Sequence, residues 1–273
     1  MDTIKNIKDC ARIVVKIGSS LVVKENKDIN EEFLKNISED LLELKKLGKE
    51  IVIVSSGAIA LGGKHQKDKK LTLAESQAAS AIGQIELING WKKALEKKGL
   101  KTAQILITAN DTENRKRYLN ARATFDELLK EEYIPIINEN DTVATSEIKY
   151  GDNDRLAARI SGMISADSLV LLSNVEGLYS KDPSKEKAEI IREVNNIDKN
   201  IISMAGGASD MGQGGMVTKL EAAKISTKSG CYMIISSGKK INPLISLEKG
   251  KFGTWFLPQP GNGSGCKRTL QKR

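Results

Sequence analysis

Two short runs of mostly β-branched residues, at positions 12–17 and 51–54, flank one amphipathic segment, and this arrangement constrains the fold most strongly. Between them, positions 30–47 place apolar residues at helical spacing, with Asn30 suited to cap the helix and Gly48 to end it. Strand, helix and strand in this order predict a βαβ unit with parallel pairing and a right-handed crossover. Since ligands gather beyond the carboxyl ends of such strands, residues 18–20 and 55–57 are expected on one rim.

The same alternation continues along the chain and predicts an α/β protein. Further strands are predicted at 103–108, 134–137, 168–173, 231–235 and 253–256, and helices at 73–97, 113–131, from Asp152 onward, and at 216–228. Pro135 indicates either an edge strand or the start of a strand. We expect a first lobe at 1–166 and a second at 167–257, with one sheet continuous across both, followed by a disordered basic tail at 258–273.

Composition excludes several classes of function. The 273 residues carry a net charge of +8, but 43 basic residues are interspersed with 35 acidic ones and only 4% are aromatic. This pattern favours a solvated surface that attracts small anions over a nucleic-acid-binding surface. The single histidine, His65, lies among lysines, and Cys10, Cys231 and Cys266 are far apart, so neither Ser-His-Asp chemistry nor a zinc or disulfide framework is expected. Without a long apolar run or a signal-peptide pattern, the chain is expected to be cytoplasmic.

Two features could bind phosphate. Lys16 lies in an otherwise apolar strand beside Gly18, where it either extends to the solvent or directs its ammonium at a phosphate. Residues 206–215 are rich in glycine and lead into a helix whose first turn contains Thr218 and Lys219, so backbone N–H groups could converge on an anion. A mobile loop without a ligand is the alternative. The spacing matches neither a P-loop nor a dinucleotide-binding loop, and the protein-kinase motifs are missing.

Short polar residues form two clusters, at 138–142 and 152–155, between a predicted strand and a predicted helix. The strand fixes the position of such side chains and the start of the helix offers free N–H groups, so these clusters predict a ligand site.

Seven segments in order resemble the amino acid kinase family and span nearly the whole chain up to Leu257. They are 15–20 (VKIGSS), 51–60 (IVIVSSGAIA), 118–122 (YLNAR), 136–145 (IINENDTVAT), 151–154 (GDND), 177–179 (GLY) and 214–219 (GGMVTK). The resemblance implies a three-layer α/β/α sandwich around a mostly parallel sheet. It also implies ATP-dependent phosphorylation, with Mg²⁺, of the γ-carboxylate of L-glutamate to L-glutamyl 5-phosphate, the first step of proline biosynthesis.

The resemblance also implies roles for individual residues. Ser56, Gly57, Asp141 and Asn153 would bind glutamate, Lys16 and Lys219 would hold the transferring phosphoryl group, and Asp154 would orient both lysines. The residues implied to contact the nucleotide are Lys16, Ser173, Asn174, Gly214, Gly215, Met216, Val217, Thr218 and Lys219. The chain departs from the usual family pattern at Ser173-Asn174, where Thr-Asp is usual, and at Gln213, where Thr is usual.

Partners follow from the same resemblance: proline as a feedback inhibitor, hand-over of the product to glutamyl phosphate reductase, and a homodimer or homotetramer. The chain would be a short form without the RNA-binding-like PUA domain that many relatives carry. Three alternatives stay open: an acetylglutamate or carbamate kinase, a non-catalytic amino-acid-sensing module, and RNA binding through the basic tail.

Overall fold

The computed structural model describes residues 4–64, 71–144, 152–181, 187–205 and 215–259. The strands are β1 (Arg12–Ile17), β2 (Glu50–Ser55), β3 (Thr102–Ile107), β4 (Ile134–Glu139), β5 (Ser168–Ser173), β6 (Leu178–Tyr179), β7 (Ile190–Ile191), β8 (Glu193–Val194), β9 (Tyr232–Ser237) and β10 (Thr254–Phe256). The helices are α1 (Ser19–Val22), α2 (Glu31–Lys46), α3 (Ala58–Gly62), α4 (Leu73–Glu96), α5 (Ala109–Glu113), α6 (Arg115–Lys130), α7 (Asp152–Met163), α8 (Lys199–Ser203) and α9 (Met216–Lys228).

Eight of these strands form one mostly parallel sheet in the order β3-β4-β2-β1-β5-β9-β10-β8, and within this described sheet only the β9–β10 pair is antiparallel. The central strand β1 pairs in parallel with β2 on one side and β5 on the other. All six residues of β1 are buried, as expected for a strand covered by helices on both faces. The sheet therefore runs without interruption through both halves of the chain.

Alternate residues of β1 face two different cores. Ile13, Val15 and Ile17 join a core covered by α2 and α4, while Val14 joins a core covered by α6, α7 and α9. Side chains along a strand alternate between the faces of the sheet. Helices thus cover both faces, which confirms the predicted three-layer α/β/α sandwich.

Two glycines allow α3 and α4 to touch through their backbones. A Cβ atom at Gly62 would lie 1.9 Å from the carbonyl oxygen of Ala79, and one at Gly83 would lie 1.9 Å from that of Ala58. Since no side chain fits at these distances, the start of α3, just after Ser56, is held tightly against the middle of α4.

Most predicted boundaries agree with the structure within one or two residues, and β5 and α9 agree fully. The predicted helix at 113–131 corresponds to α6, Arg115–Lys130, but Glu113 belongs to a separate short helix that was not predicted. Thr108 and Asp111 form a capping box that begins the separate helix α5, and the side chain of Asn114 then caps α6. Pro135 is the second residue of β4, which lies between β3 and β2, so the proline marks the start of a strand.

The structure also contains short elements that were not predicted, because two to five residues carry too little periodicity: α1, α3, α5, α8, β6, β7 and β8. Several predictions lie outside the described residues, namely those for His65, Cys266, Gln213, Gly214 and most of the tail. Among the described residues, no helix combines the length and the apolar character needed to cross a membrane.

Candidate active site

Two lysines distant in sequence converge on one buried carboxylate. Lys16 Nζ lies 2.6 Å from Asp154 Oδ1, and Lys219 Nζ lies 3.2 Å from Asp154 Oδ2. The Asp154 side chain is only 1% exposed, while those of Lys16 and Lys219 are 9% and 12% exposed. We call these three residues the charged cluster. It carries two positive charges and one negative charge, so a net positive charge remains for an anionic ligand.

The local structure explains why these residues meet. Lys16 has the same parity in β1 as Val14, so it points toward the layer of α7 and α9. Asp154 lies in the first turn of α7 and Lys219 in the first turn of α9. Gly215 precedes α9 with φ of 95°, a conformation that residues with a side chain rarely adopt, and so directs the chain into the helix.

The charged cluster determines the protonation state of Asp154. Burial by itself would raise the pKa of this carboxyl group, but the charges of Lys16 and Lys219 and their hydrogen bonds hold the pKa below its usual value. Asp154 is therefore ionised near neutral pH and has no proton to donate as a general acid there. Its geometry suits it to hold the two ammonium groups in position.

Thr218 also contacts the charged cluster. Its Oγ1 lies 3.1 Å from Asp154 Oδ2 and 3.0 Å from the carbonyl oxygen of Gly215, and its single hydrogen can serve one of them at a time. The hydroxyl thereby ties Asp154 to the turn that begins α9. The role implied for Thr218 was nucleotide contact, whereas the structure shows its side chain bonded to the lysine-binding carboxylate.

A chain of neutral side chains lies next to the charged cluster. Asn138 Nδ2 donates to Gln84 Oε1 over 2.8 Å, Asn153 Nδ2 donates to Asn138 Oδ1 over 3.1 Å, and Asn153 Nδ2 also donates to Ser56 Oγ over 2.8 Å. We call these four residues the amide chain. It connects α4, the end of β4, the start of α7 and the end of β2. Neighbouring residues of α7 thus serve different groups, since Asn153 belongs to the amide chain and Asp154 to the charged cluster.

Asp141 forms a further polar contact near the amide chain. It is 6% exposed and accepts a hydrogen bond from Ser80 Oγ over 2.5 Å. A cleft of 340 Å³ opens beside Asp141 and Gln84, between α4 and the ends of β3 and β4. Small-molecule sites span about 300 to 1,000 Å³. A larger cavity, of 480 Å³, is lined by Lys92, Lys101 and Tyr133 and contains none of the site residues.

Gly57 is constrained by both conformation and space. Its φ is 124°, and a Cβ atom there would lie 2.9 Å from a methyl carbon of Val23. The Ser56 N–H group donates to the carbonyl oxygen of Ile17 over 3.2 Å. The ends of β1 and β2 are therefore adjacent, and the predicted common rim of residues 18–20 and 55–57 is confirmed.

On the other side of β1, Ser173 ends β5 and Asn174 follows it. Asn174 Nδ2 donates to Ser20 Oγ over 2.9 Å, and the carbonyl oxygen of Ser173 accepts from the Gly238 N–H group over 2.9 Å. These residues and Gly215, Met216 and Val217 lie at the carboxyl ends of the strands or at the start of α9, and their contact with a nucleotide stays a prediction. Gly214 lies outside the described residues.

The described residues do not form a protein-only metal site. No group of three or more His, Cys, Asp or Glu side chains within them is arranged to hold a metal ion. Both oxygens of Asp154 already face lysines. A Mg²⁺ ion at this site would therefore take most of its ligands from phosphate oxygens of the nucleotide and from water.

Three side chains of the site were not singled out from the sequence: Ser80, Gln84 and Asn138. Asn138 stands within the predicted polar cluster at 138–142, so its strand-end position could have indicated it. Ser80 and Gln84 lie on a long helix of small residues with no polar motif, so no signal in the sequence indicated them.

Comparisons with known proteins agree with the fold and identify the family. The fold is similar to that of an isopentenyl phosphate kinase, with a TM-score of 0.61 and 15% identity over 90% of this chain and 99% of that one. That similarity concerns the fold alone. The model of the amino acid kinase family matches residues 11–237. The chain therefore belongs to the amino acid kinase family.

Within that family, the chain is similar to several curated glutamate 5-kinases. Glutamate 5-kinase 1 of Mesorhizobium japonicum is 49% identical, covering 96% of this chain and 71% of the relative. Those of Agrobacterium fabrum and Pelagibacter ubique are 51% and 48% identical, covering 90% and 93% of this chain and 64% and 70% of the relatives. The chain thus spans roughly two thirds of the length of these relatives.

Proposed function

We propose that this protein transfers the γ-phosphoryl group of ATP to the γ-carboxylate of L-glutamate, giving L-glutamyl 5-phosphate for proline biosynthesis. Identity near one half to curated glutamate 5-kinases supports the substrate. One structural observation carries the chemistry: Lys16 and Lys219, from opposite halves of the chain, meet at Asp154 directly beside the amide chain.

The reaction needs little acid–base chemistry. A carboxylate nucleophile is already ionised, and the main obstacle is repulsion between the two anions that must approach each other. A lysine about 4 Å from the transferring phosphoryl group contributes on the order of 4 kcal/mol at an effective dielectric constant near 20. Lys16 and Lys219 lie where both could contact this group. Ionised Asp154 pairs with both ammonium groups and holds them in position.

The acceptor half of the site would bind glutamate. Asp141 would accept hydrogen bonds from the substrate ammonium, and the Ser56 hydroxyl would donate to a substrate carboxylate near the end of β2, beside the turn at Gly57. Asn153 would contribute through the free N–H groups at the start of α7. Asp141 lies just after β4, and Asn153 lies in the first turn of α7. The negative charge of Asp141 complements the ammonium group of an amino acid, which supports its assignment.

The donor half would bind ATP. The start of α9, from Gly215 through Lys219, offers backbone N–H groups and a lysine to phosphate oxygens, and Ser173 and Asn174 lie at the neighbouring strand end. Gly214 would add to these contacts with the phosphate oxygens. Magnesium would accompany the nucleotide and neutralise charge on its phosphates.

The test is glutamate-dependent ADP release, with the acyl phosphate trapped by hydroxylamine as a hydroxamate. We expect both signals with glutamate and ATP, and neither with N-acetylglutamate or carbamate. A stronger signal with either alternative acceptor would assign the chain another substrate of the family. Binding of glutamate without ADP release would favour the sensing module.

Regulation and assembly are proposed on the same grounds. Feedback inhibition by proline would appear as a rise in the glutamate KM when proline is added. Hand-over to glutamyl phosphate reductase would shorten the lifetime of free acyl phosphate. For assembly into dimers or tetramers, α4 exposes Ile82 and Ile85, each 65% exposed, next to the edge strand β3. Light scattering of the wild type and of Ile82→Glu measures this directly.

A further inference from the structure

The amide chain has a direction, because the orientation of each of its side chains depends on that of its neighbour. An amide side chain has a donor end and an acceptor end, and each member must present the end that its neighbour lacks. Gln84 presents its oxygen to Asn138, so Asn138 turns its NH₂ group to Gln84 and its oxygen to Asn153. Asn153 then turns its NH₂ group to both Asn138 and Ser56.

This direction determines what Ser56 can offer a ligand. Its Oγ accepts a hydrogen bond from Asn153, so the hydroxyl hydrogen is left for another partner. Ser56 is also only half-buried, so a ligand can reach this hydroxyl. Its hydroxyl is therefore prepared as a donor toward an anion. If the amide chain ran the other way, Ser56 would donate to Asn153 and its hydrogen would be occupied.

Gln84 lies at the far end of the amide chain and is well placed to fix its direction. It is 9% exposed, and its oxygen lies 2.8 Å from Asn138 Nδ2. The preceding residue, Gly83, packs directly against the carbonyl group of Ala58, so α4 cannot move away from the rim. Gln84 thus presents its side chain from a rigid position on α4, with its oxygen accepting from Asn138.

We propose that Gln84 is a positioning residue that sets the direction of the amide chain and thereby makes Ser56 a hydrogen-bond donor to a substrate carboxylate. The inference rests on the proposed function for the identity of the substrate. It predicts that Gln84 changes the affinity for glutamate through Asn138, Asn153 and Ser56 in turn. Gln84 itself would not touch the transferring phosphoryl group.

The first experiment compares two replacements of Gln84. Gln84→Met has a similar length but offers no strong acceptor, so Asn138 and Asn153 can turn and Ser56 is no longer held as a donor. We expect the glutamate KM to rise about tenfold, the range of one lost hydrogen bond, with kcat and the ATP KM changed less than about twofold. Gln84→Glu retains an acceptor oxygen, and we expect a glutamate KM within about threefold of the wild type.

The second experiment is a double-mutant cycle with Ser56→Ala. If Gln84 acts through Ser56, Gln84→Met has little further effect once the hydroxyl is removed, so the double variant resembles Ser56→Ala alone. Gln77→Met is the matched control, because Gln77 lies on the same helix and donates one hydrogen bond, to the carbonyl oxygen of Ala144. Its glutamate KM is expected to stay near the wild-type value. Thermal melting of each variant verifies that it is folded.

Three results would overturn the inference in folded protein: an unchanged KM in Gln84→Met, effects of Gln84→Met and Ser56→Ala that multiply, or Gln84→Glu as impaired as Gln84→Met. Failure of the proposed function is seen separately. In that case the wild type itself gives no glutamate-dependent ADP release, before any variant is compared.

Discussion

The charged cluster and the amide chain lie side by side but are built in opposite ways. The charged cluster holds three ionised side chains around Asp154, whose pKa is lowered by the lysines against the effect of burial. The amide chain contains no formal charge and consists of directional hydrogen bonds from Gln84 to Ser56. The two regions meet at adjacent residues of α7, since Asn153 belongs to the amide chain and Asp154 to the charged cluster.

This difference indicates which kinetic constant each region should control. Charge acts over several ångströms and can stabilise a phosphoryl group as its bonds change, so the charged cluster should govern kcat. The amide chain reaches the substrate through the Ser56 hydroxyl and does not touch the transferring phosphoryl group. It should therefore stabilise the bound substrate and the transition state about equally and govern KM. Variants in the two regions should therefore change different kinetic constants.

The largest effect is expected from removing either lysine. Lys16→Met and Lys219→Met keep the length of the side chain but lose its charge, and we expect kcat to fall by about a thousandfold, the equivalent of roughly 4 kcal/mol. Asp154 keeps one partner in each variant, so the fold should hold. Steady-state ADP release measures the effect, with Lys228→Met at the end of α9 as the control. Turnover near the wild-type rate in both variants would remove the lysines from the mechanism.

Asp154→Asn should reduce both activity and stability. Two lysines lose the charge that compensates them, and we expect kcat to fall by about a hundredfold and the free energy of unfolding at pH 7 by about 3 kcal/mol. Because the pKa of Asp154 is lowered in the folded state, its stabilisation is present above the unfolded pKa, about 3.9, and is lost as the pH falls through the folded value. Urea unfolding should thus show a smaller difference between wild type and variant at pH 3 than at pH 7. An equal difference at both values would contradict the lowered pKa.

Asp141→Asn should mainly affect the binding of glutamate. The amide can still accept a hydrogen bond from Ser80, but it lacks the charge that attracts an ammonium group. We expect the glutamate KM to rise about tenfold while the ATP KM stays within about twofold. Initial-rate measurements with each substrate varied in turn give both constants. A glutamate KM like that of the wild type would place the ammonium elsewhere.

The smallest effect is expected far from the site. Buried Asp40 accepts from the N–H groups of Leu244 and Ile245 through Oδ2, while its Oδ1 has no hydrogen-bond partner among the described residues. Burial raises its pKa, so its contribution to stability is complete below the unfolded pKa, about 3.9, and declines as the pH rises through the folded value. In Asp40→Asn, the fall in the free energy of unfolding across that pH range should be smaller by about 1 kcal/mol, and kcat should not change. Urea unfolding between pH 4 and pH 8 measures it, and an unchanged slope would contradict the assignment.

Much of the fold could be predicted from the sequence, because parallel strands buried on both faces leave continuous apolar runs such as β1 and β5. Lys16 could be predicted as a candidate, since a charged residue inside such a run is unusual. Its contact with Asp154 depends on strand parity and on the packing of α7, which only the three-dimensional structure provides. Gln84 could not be predicted at all, because its importance arises from a backbone contact at Gly83 and from a partner 54 residues away.

The most direct test of the division of work is a side-by-side determination of kcat and the glutamate KM for Lys219→Met and Gln84→Met, using hydroxamate formation. We predict that Lys219→Met loses kcat by about three orders of magnitude, while Gln84→Met retains kcat and shows a KM about tenfold higher. If both variants change the same constant to a similar extent, the charged cluster and the amide chain do not have separate roles.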